Sequence, residues 1–263
     1  MTFSDILKQL QPQAQGWTAT VGDDWLQGRS VFGGLQAALG VRAMRERVPA
    51  GIPLRSLQTT FIAPLPAGTV RVQAVVLREG KSALHVQASL WDGDQLACLM
   101  VGIFGRSRES VITLELPPLR VEKTSAQAQE LPFIPGVTPA FTRHIEFRWA
   151  LGGFPYMGAA QAHTQIYVRM REEPQVGEAE VIALADAIPS PGLSLLKKPA
   201  AASSLTWTLE LLRDDHERSA TAPWLMDAQV SAARDGYLNQ TATLWDPQGR
   251  AVALSRQTVV VFG

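Results

Sequence analysis

Two adjacent glycines open an apolar run in this sequence: Val31-Phe32-Gly33-Gly34-Leu35-Gln36-Ala37-Ala38-Leu39-Gly40-Val41-Arg42-Ala43-Met44. Its apolar residues recur at helical spacing, which predicts one long buried helix. Gly33 and Gly34 lack Cβ atoms, so a ligand or a neighbouring strand can approach the backbone there. The unpaired N–H groups of a first helical turn favour negative charge, so Gly33, Gly34 and Leu35 form a candidate binding site for an anion or a developing oxyanion. The same glycines also suit a helix that only packs tightly against a sheet, and this stretch alone does not separate the two readings.

Other chemistries find less support. His85, His144, His163 and His216 form no His-x-x-x-His pair, and one cysteine, Cys98, cannot build a multi-cysteine metal site or an internal disulfide. No metal and no cofactor are expected. There is no Gly-x-Ser-x-Gly elbow for a serine hydrolase and no Gly-x-x-x-x-Gly-Lys-Ser/Thr loop for nucleotide phosphates. Twenty-four basic and twenty-four acidic residues balance, which leaves no electrostatic footprint for nucleic acid or an anionic membrane. The lone cysteine fits a reducing compartment, and no stretch reads as a signal peptide or a membrane span, so a cytoplasmic protein is expected.

The elements around the glycines follow from periodicity and turn residues. A short amphipathic helix is expected over 3–10, a strand over 16–21, and the long helix up to Val48, where Pro49, Gly51 and Pro53 stop it. Strands are expected over 54–62, 69–77, 83–91 and 95–104, an antiparallel meander wrapped around the helix. A proline-punctuated, polar segment follows. Beyond it, strands are expected over 141–150 and 163–170, a helix over 178–188, and strands over 203–212, 224–234, 237–245 and 251–262.

The second half repeats the first. Ala88-Ser89-Leu90-Trp91-Asp92 matches Ala242-Thr243-Leu244-Trp245-Asp246, and Arg78-Glu79-Gly80 matches Arg234-Asp235-Gly236 in the preceding turn. The economical reading is a duplication, with an N-terminal unit over 1–108, a linker over 109–137 and a C-terminal unit over 138–263. Setting the halves against each other pairs Gln36 with Asp186, Ser56 with Ser204 and Gly102 with Gln257. Only the second half then has a carboxylate, so one complete site per chain is expected.

These residues resemble the double-hotdog acyl-CoA thioesterases, the bacterial TesB-like group. The resemblance spans nearly the whole chain and is carried by Val31-Phe32-Gly33-Gly34, Ala185-Asp186, Ser203-Ser204-Leu205-Thr206-Trp207 and Ser255-Arg256-Gln257. It implies an α+β fold, a double hotdog of two tandem units, each an antiparallel sheet around a central helix. It also implies hydrolysis of a fatty acyl-CoA thioester, and a dimer of double hotdogs as the homo-oligomer. The catalytic set it implies is an Asp on the second helix, a hydroxyl at the start of the next strand and a Gln on the last strand, together activating a water. Here these are Asp186, Ser204 and Gln257, with Ser204, next to Ser203, standing where the bacterial pattern has Thr.

Each residue has a physical case beside the resemblance. Asp186 stands between Ala185 and Ala187 at the edge of an apolar stripe, where desolvation would make it a better base; the plainer alternative is a solvated Asp on the outer helix face. Ser204 could hold a water against Asp186 or attack directly, or serve as a local backbone partner. Gln257 interrupts an apolar strand, so it is either a buried amide that orients water and carbonyl or an outward position in the alternation. Two other functions stay open: a non-hydrolytic acyl-thioester binder of the same fold, and a hotdog hydratase, which would need a His near Asp186 that the local sequence lacks.

Overall fold

The computed structural model describes residues 1–14, 16–216, 218–219 and 221–262. Its main elements, in order, are α1 (Phe3–Lys8), β1 (Gly16–Val21), α2 (Gly33–Arg45), β2 (Leu54–Phe61), β3 (Gly68–Glu79), β4 (Ala83–Asp92) and β5 (Gln95–Gly105). After an irregular stretch come β6 (Ile145–Leu151), β7 (His163–Met170), α3 (Glu178–Leu184), β8 (Ala201–Leu211), β9 (Trp224–Arg234), β10 (Tyr237–Trp245) and β11 (Ala251–Phe262). The alternation of β-branched and aromatic residues with polar ones puts one face of each long strand in the core.

All these strands join one antiparallel sheet of thirteen, in the order Gln11–Gln13, β1, β3, β4, β5, β2, β8, β11, β10, β9, β7, β6, Gln129–Leu131. Read outward from the centre, β2-β5-β4-β3-β1 and β8-β11-β10-β9-β7 are the same order twice. The halves meet where β2 pairs with β8, Leu57 opposite Leu209 and Thr60 opposite Thr206. Helix α2 packs on β3, β4 and β5, and against α3. A single cluster of buried apolar side chains runs through both halves, from Leu39 and Met100 to Leu184, Trp207 and Leu244.

Three expected elements differ by three residues or more at one end. Helix α2 stops at Arg45, short of Val48. The strand expected over 141–150 begins only at Ile145, because Ala140–His144 forms a 3-10 turn after Pro139. The helix expected over 178–188 ends at Leu184, and Pro189, which has no N–H for the Ala185 carbonyl and whose ring would clash with it, keeps the next turn from being helical. No helix among the described residues is long and apolar enough to cross a membrane.

The repeat has a register. Leu57 faces Gly102 across β2 and β5, and Trp207 faces Gln257 across β8 and β11, so Gly102 and Gln257 occupy matching places. Each ladder carries a bulge at the same place, between Leu54 and Ser56 and between Ser204 and Thr206. Leu54, opposite Phe104, therefore matches Ser204, opposite Val259, and Ser56 matches Thr206, so the sequence pairing of Ser56 with Ser204 is two residues out of register. Gln36 is also not the counterpart of Asp186: it stands in the first turn of α2, whereas Asp186 follows the end of α3.

Candidate active site

The two helices meet at opposite ends, and each meeting has a different chemistry. At one, the start of α2 faces the residues after α3. A Cβ on Gly34 would lie 2.8 Å from the Ala183 carbonyl oxygen, and one on Gly33 would lie 2.7 Å from Asp186 Oδ2, so this approach requires glycine. Phe32, the residue before them, is fully buried and stacks on Phe141 of the second half, ring centroids 4.2 Å apart. At the other meeting, Arg45 at the end of α2 forms an ion pair with Glu178 at the start of α3, its Nε 2.7 Å from Oε2, and lies over the Phe104 ring. That end is closed by its own charges.

Asp186 lies in the turn that ends α3, its N–H donating to the Ala183 carbonyl. Gln257 projects from β11 and donates through Nε2 to Asp186 Oδ1 at 2.6 Å. Its Oε1 accepts from Ser204 Oγ at 3.3 Å and from Gln240 Nε2 at 3.2 Å. The Gly34 backbone N–H also favours the ionised carboxylate. Asp186, Ser204, Gln257 and the first turn of α2 are thus brought together by α3, β8, β11 and α2. Ser203 is not part of the group: it is exposed and its hydroxyl turns to the Ser204 carbonyl. Leu35 is fully buried, and its N–H is bonded to the Phe32 carbonyl oxygen at 3.1 Å, which removes it as a free oxyanion donor.

The electrostatics favour a proton acceptor. Asp186 retains partial exposure, yet its surroundings are apolar and polar-uncharged: Ala185 and Ala187 are buried, and Ile188, Met226 and Ala242 line the small adjoining cavity with Gln240, Ser255 and Gln257. Burial pushes its carboxyl up to about 7, against the opposing pull of the hydrogen bonds from Gln257 and Gly34. The cavity has room for about one water molecule. A larger cavity of about 250 Å³, bounded by Lys123, Trp149 and Phe154, shares no residue with this site.

The first half has no equivalent. The place matching Gln257 is Gly102, and an added Cβ there would lie 2.7 Å from Met44 Sδ, so the longer helix α2 fills with a thioether the space that the shorter α3 leaves to Asp186. Among the described residues no group of His, Cys, Asp and Glu is arranged to hold a metal ion. Sequence reasoning missed Gln240, although a signal was present: it stands in phase with the inward-facing Ala242 and Leu244 on β10.

Comparison with known proteins assigns the chain. Residues 21–105 match the model of the acyl-CoA thioesterase N-terminal domain, and residues 124–261 match that of the C-terminal domain. The chain belongs to the acyl-CoA thioesterase family. As a member it is a thioester hydrolase. Its fold is also that of solved structures at low sequence identity. A conserved protein of unknown function with a hotdog fold from Alicyclobacillus acidocaldarius is 20% identical, with a TM-score of 0.87, over 99% of this chain and 98% of that one. An acyl-CoA thioesterase II, TesB2, from Mycobacterium marinum is 15% identical, with a TM-score of 0.76, over 100% and 99%. No curated protein matches the chain significantly in sequence. For this thioesterase, Gly34→Ala tests the helix contact: the Phe32 ring is pinned by Phe141 and Ala183 O is backbone, so neither yields to a Cβ cheaply. We expect a loss of about 1–3 kcal/mol in thermal unfolding, with thiol release lowered in the folded fraction.

Proposed function

We propose that this thioesterase is a double hotdog that hydrolyses acyl-CoA to free acid and CoA at one site per chain, with Asp186 as the base. The observation that carries the proposal is the Asp186 carboxylate held between Gln257 and the first turn of α2, beside a cavity of about one water. The ionised carboxylate accepts a proton from the water as its oxygen bonds to the thioester carbonyl carbon. The carbonyl π electrons move to oxygen, and the oxyanion forms next to the positive end of α2 at Gly33 and Gly34. Collapse reforms the carbonyl and breaks the carbon–sulfur bond, and the proton on Asp186 passes to the leaving thiolate. A base with its pKa near neutrality suits both transfers.

Ser204 serves this mechanism through Gln257, whose oxygen it bonds, rather than as a nucleophile. The function is tested by thiol release from acyl-CoAs of increasing chain length: turnover is expected, and binding without release would favour an acyl-thioester binder. With the best of these substrates, Ser204→Ala should lower kcat about 10-fold, and Ser204→Thr should remain active because the hydroxyl is kept. Complete loss in Ser204→Ala, with an acyl-enzyme trapped on the wild-type serine, would reassign Ser204 as the nucleophile.

A further inference from the structure

We propose that Gln240 is a positioning residue for the hydrolysis, fixing which end of the Gln257 amide faces Asp186. The proposal rests on the role given to Gln257 above. The two ends of a primary amide are nearly equal in size, so packing does not orient it and hydrogen bonds must. Gln257 gives its NH2 to Asp186 and receives on its oxygen from Gln240 and Ser204. A serine hydroxyl can donate or accept and would serve either end of the amide. The Gln240 NH2 only donates, so as the two amides stand it pairs with the oxygen, and Gln257 can turn only if the Gln240 amide turns with it.

The distinction matters when Asp186 takes the proton. An ionised carboxylate accepts from the Gln257 NH2, but a protonated one can donate to the Gln257 oxygen and so favour a turned amide. Gln240, directly opposite Gln257 in the β10–β11 ladder and buried with it, resists that turn, because its bond to the Gln257 oxygen must break or its own amide must turn as well. Its own Oε1 is buried without a partner among the described residues, and Gln240 lines the water-sized cavity. The first half supplies a contrast. Val86 faces Gly102 there, so the Gln–Gln pair belongs to the half with the site and is no requirement of the fold.

The test is a double-mutant cycle of Gln240→Met and Gln257→Met, read as kcat, KM and the pH dependence of kcat on the acyl-CoA that the wild type hydrolyses best. Gln240→Met should lower kcat about 10-fold at unchanged KM, and the double variant should be no slower than Gln257→Met alone. The acid limb should also move to higher pH, because a turned amide no longer donates to the carboxylate. Around Asp186, α2 contributes Gly33 and Gly34, β11 contributes Gln257, and β5 contributes the Cys98 thiol, which burial and the Asp186 charge keep protonated. Gln240→Val, carrying the residue of the matching place in the first half, gives a second apolar variant, and thermal unfolding reports whether each is folded. Wild-type kcat and pH profile in the folded Gln240 variants would overturn the proposal, as would losses that multiply in the double. Wild-type activity in Gln257→Met would instead remove Gln257 from the mechanism, and Gln240 with it.

Discussion

Asp186→Asn is expected to lower kcat/KM for the preferred acyl-CoA by about 10²–10⁴-fold, the usual contribution of a general base. The asparagine side chain keeps the size of the carboxylate and can still accept from Gln257 Nε2, so the contact that holds Gln257 survives while the proton acceptor is lost. The pH profile separates this from a packing effect. A base must be ionised, so wild-type kcat/KM should fall as pH drops through about 7, where burial has placed the carboxyl. The residual activity of the variant should show no such limb. Thiol release followed from pH 5 to 9 checks both, and equal activity in the two proteins would take Asp186 out of the mechanism. An acid limb near the ordinary carboxylate range would mean that Asp186 is solvated in the free enzyme.

How far the chain could be read depended on whether a property was local. The strands Trp224–Arg234, Tyr237–Trp245 and Ala251–Phe262 were legible to the residue, because alternation and the Asp235-Gly236 turn are written in adjacent positions. The end of α3 was not. Apolar spacing carries on to Ile188, but Pro189 cannot donate to the Ala185 carbonyl, so the last turn implied by the spacing is not helical and Asp186 lies in a turn. Matching the halves by offset located Gly102 against Gln257 and failed at Ser56, since two serines at similar spacing look alike in sequence and only the ladder register shows that Leu54 stands in the place of Ser204. Leu35 shows the limit of reading a helix start as a donor site: which amide stays free depends on how the preceding residue turns, and Phe32 takes this one. Gln240 was within reach, since a polar residue in the core phase of a strand calls for a partner, yet only the register identifies that partner as Gln257.

The same substitution should make the protein more stable, and only above mildly acidic pH. In the unfolded chain Asp186 titrates near 3.8, whereas in the folded protein burial holds it near 7. Below about pH 4 both states carry the proton and the carboxylate makes no difference to folding. Between these values the folded state binds a proton that the unfolded state does not, so wild-type stability falls as pH rises through this window. Above about 7 both states are ionised and the full penalty of holding the charge persists. Across such a window stability changes by about 1.4 kcal/mol for each tenfold change in proton concentration. The partial exposure of Asp186 moderates that total, so Asp186→Asn should gain on the order of 2 kcal/mol at pH 8 relative to its difference from wild type at pH 4. For a chain of this size that is roughly 4–8 °C in Tm. Denaturant unfolding of both proteins at pH 4 and pH 8 measures it, and a difference that does not change with pH would show that the carboxylate is not held against its solvation. A gain in stability with loss of turnover is the expected signature of a charge kept in an apolar site for its chemistry. The start of α2 and the amide of Gln257 lower that penalty without removing it, which leaves the carboxylate basic enough to take a proton from water.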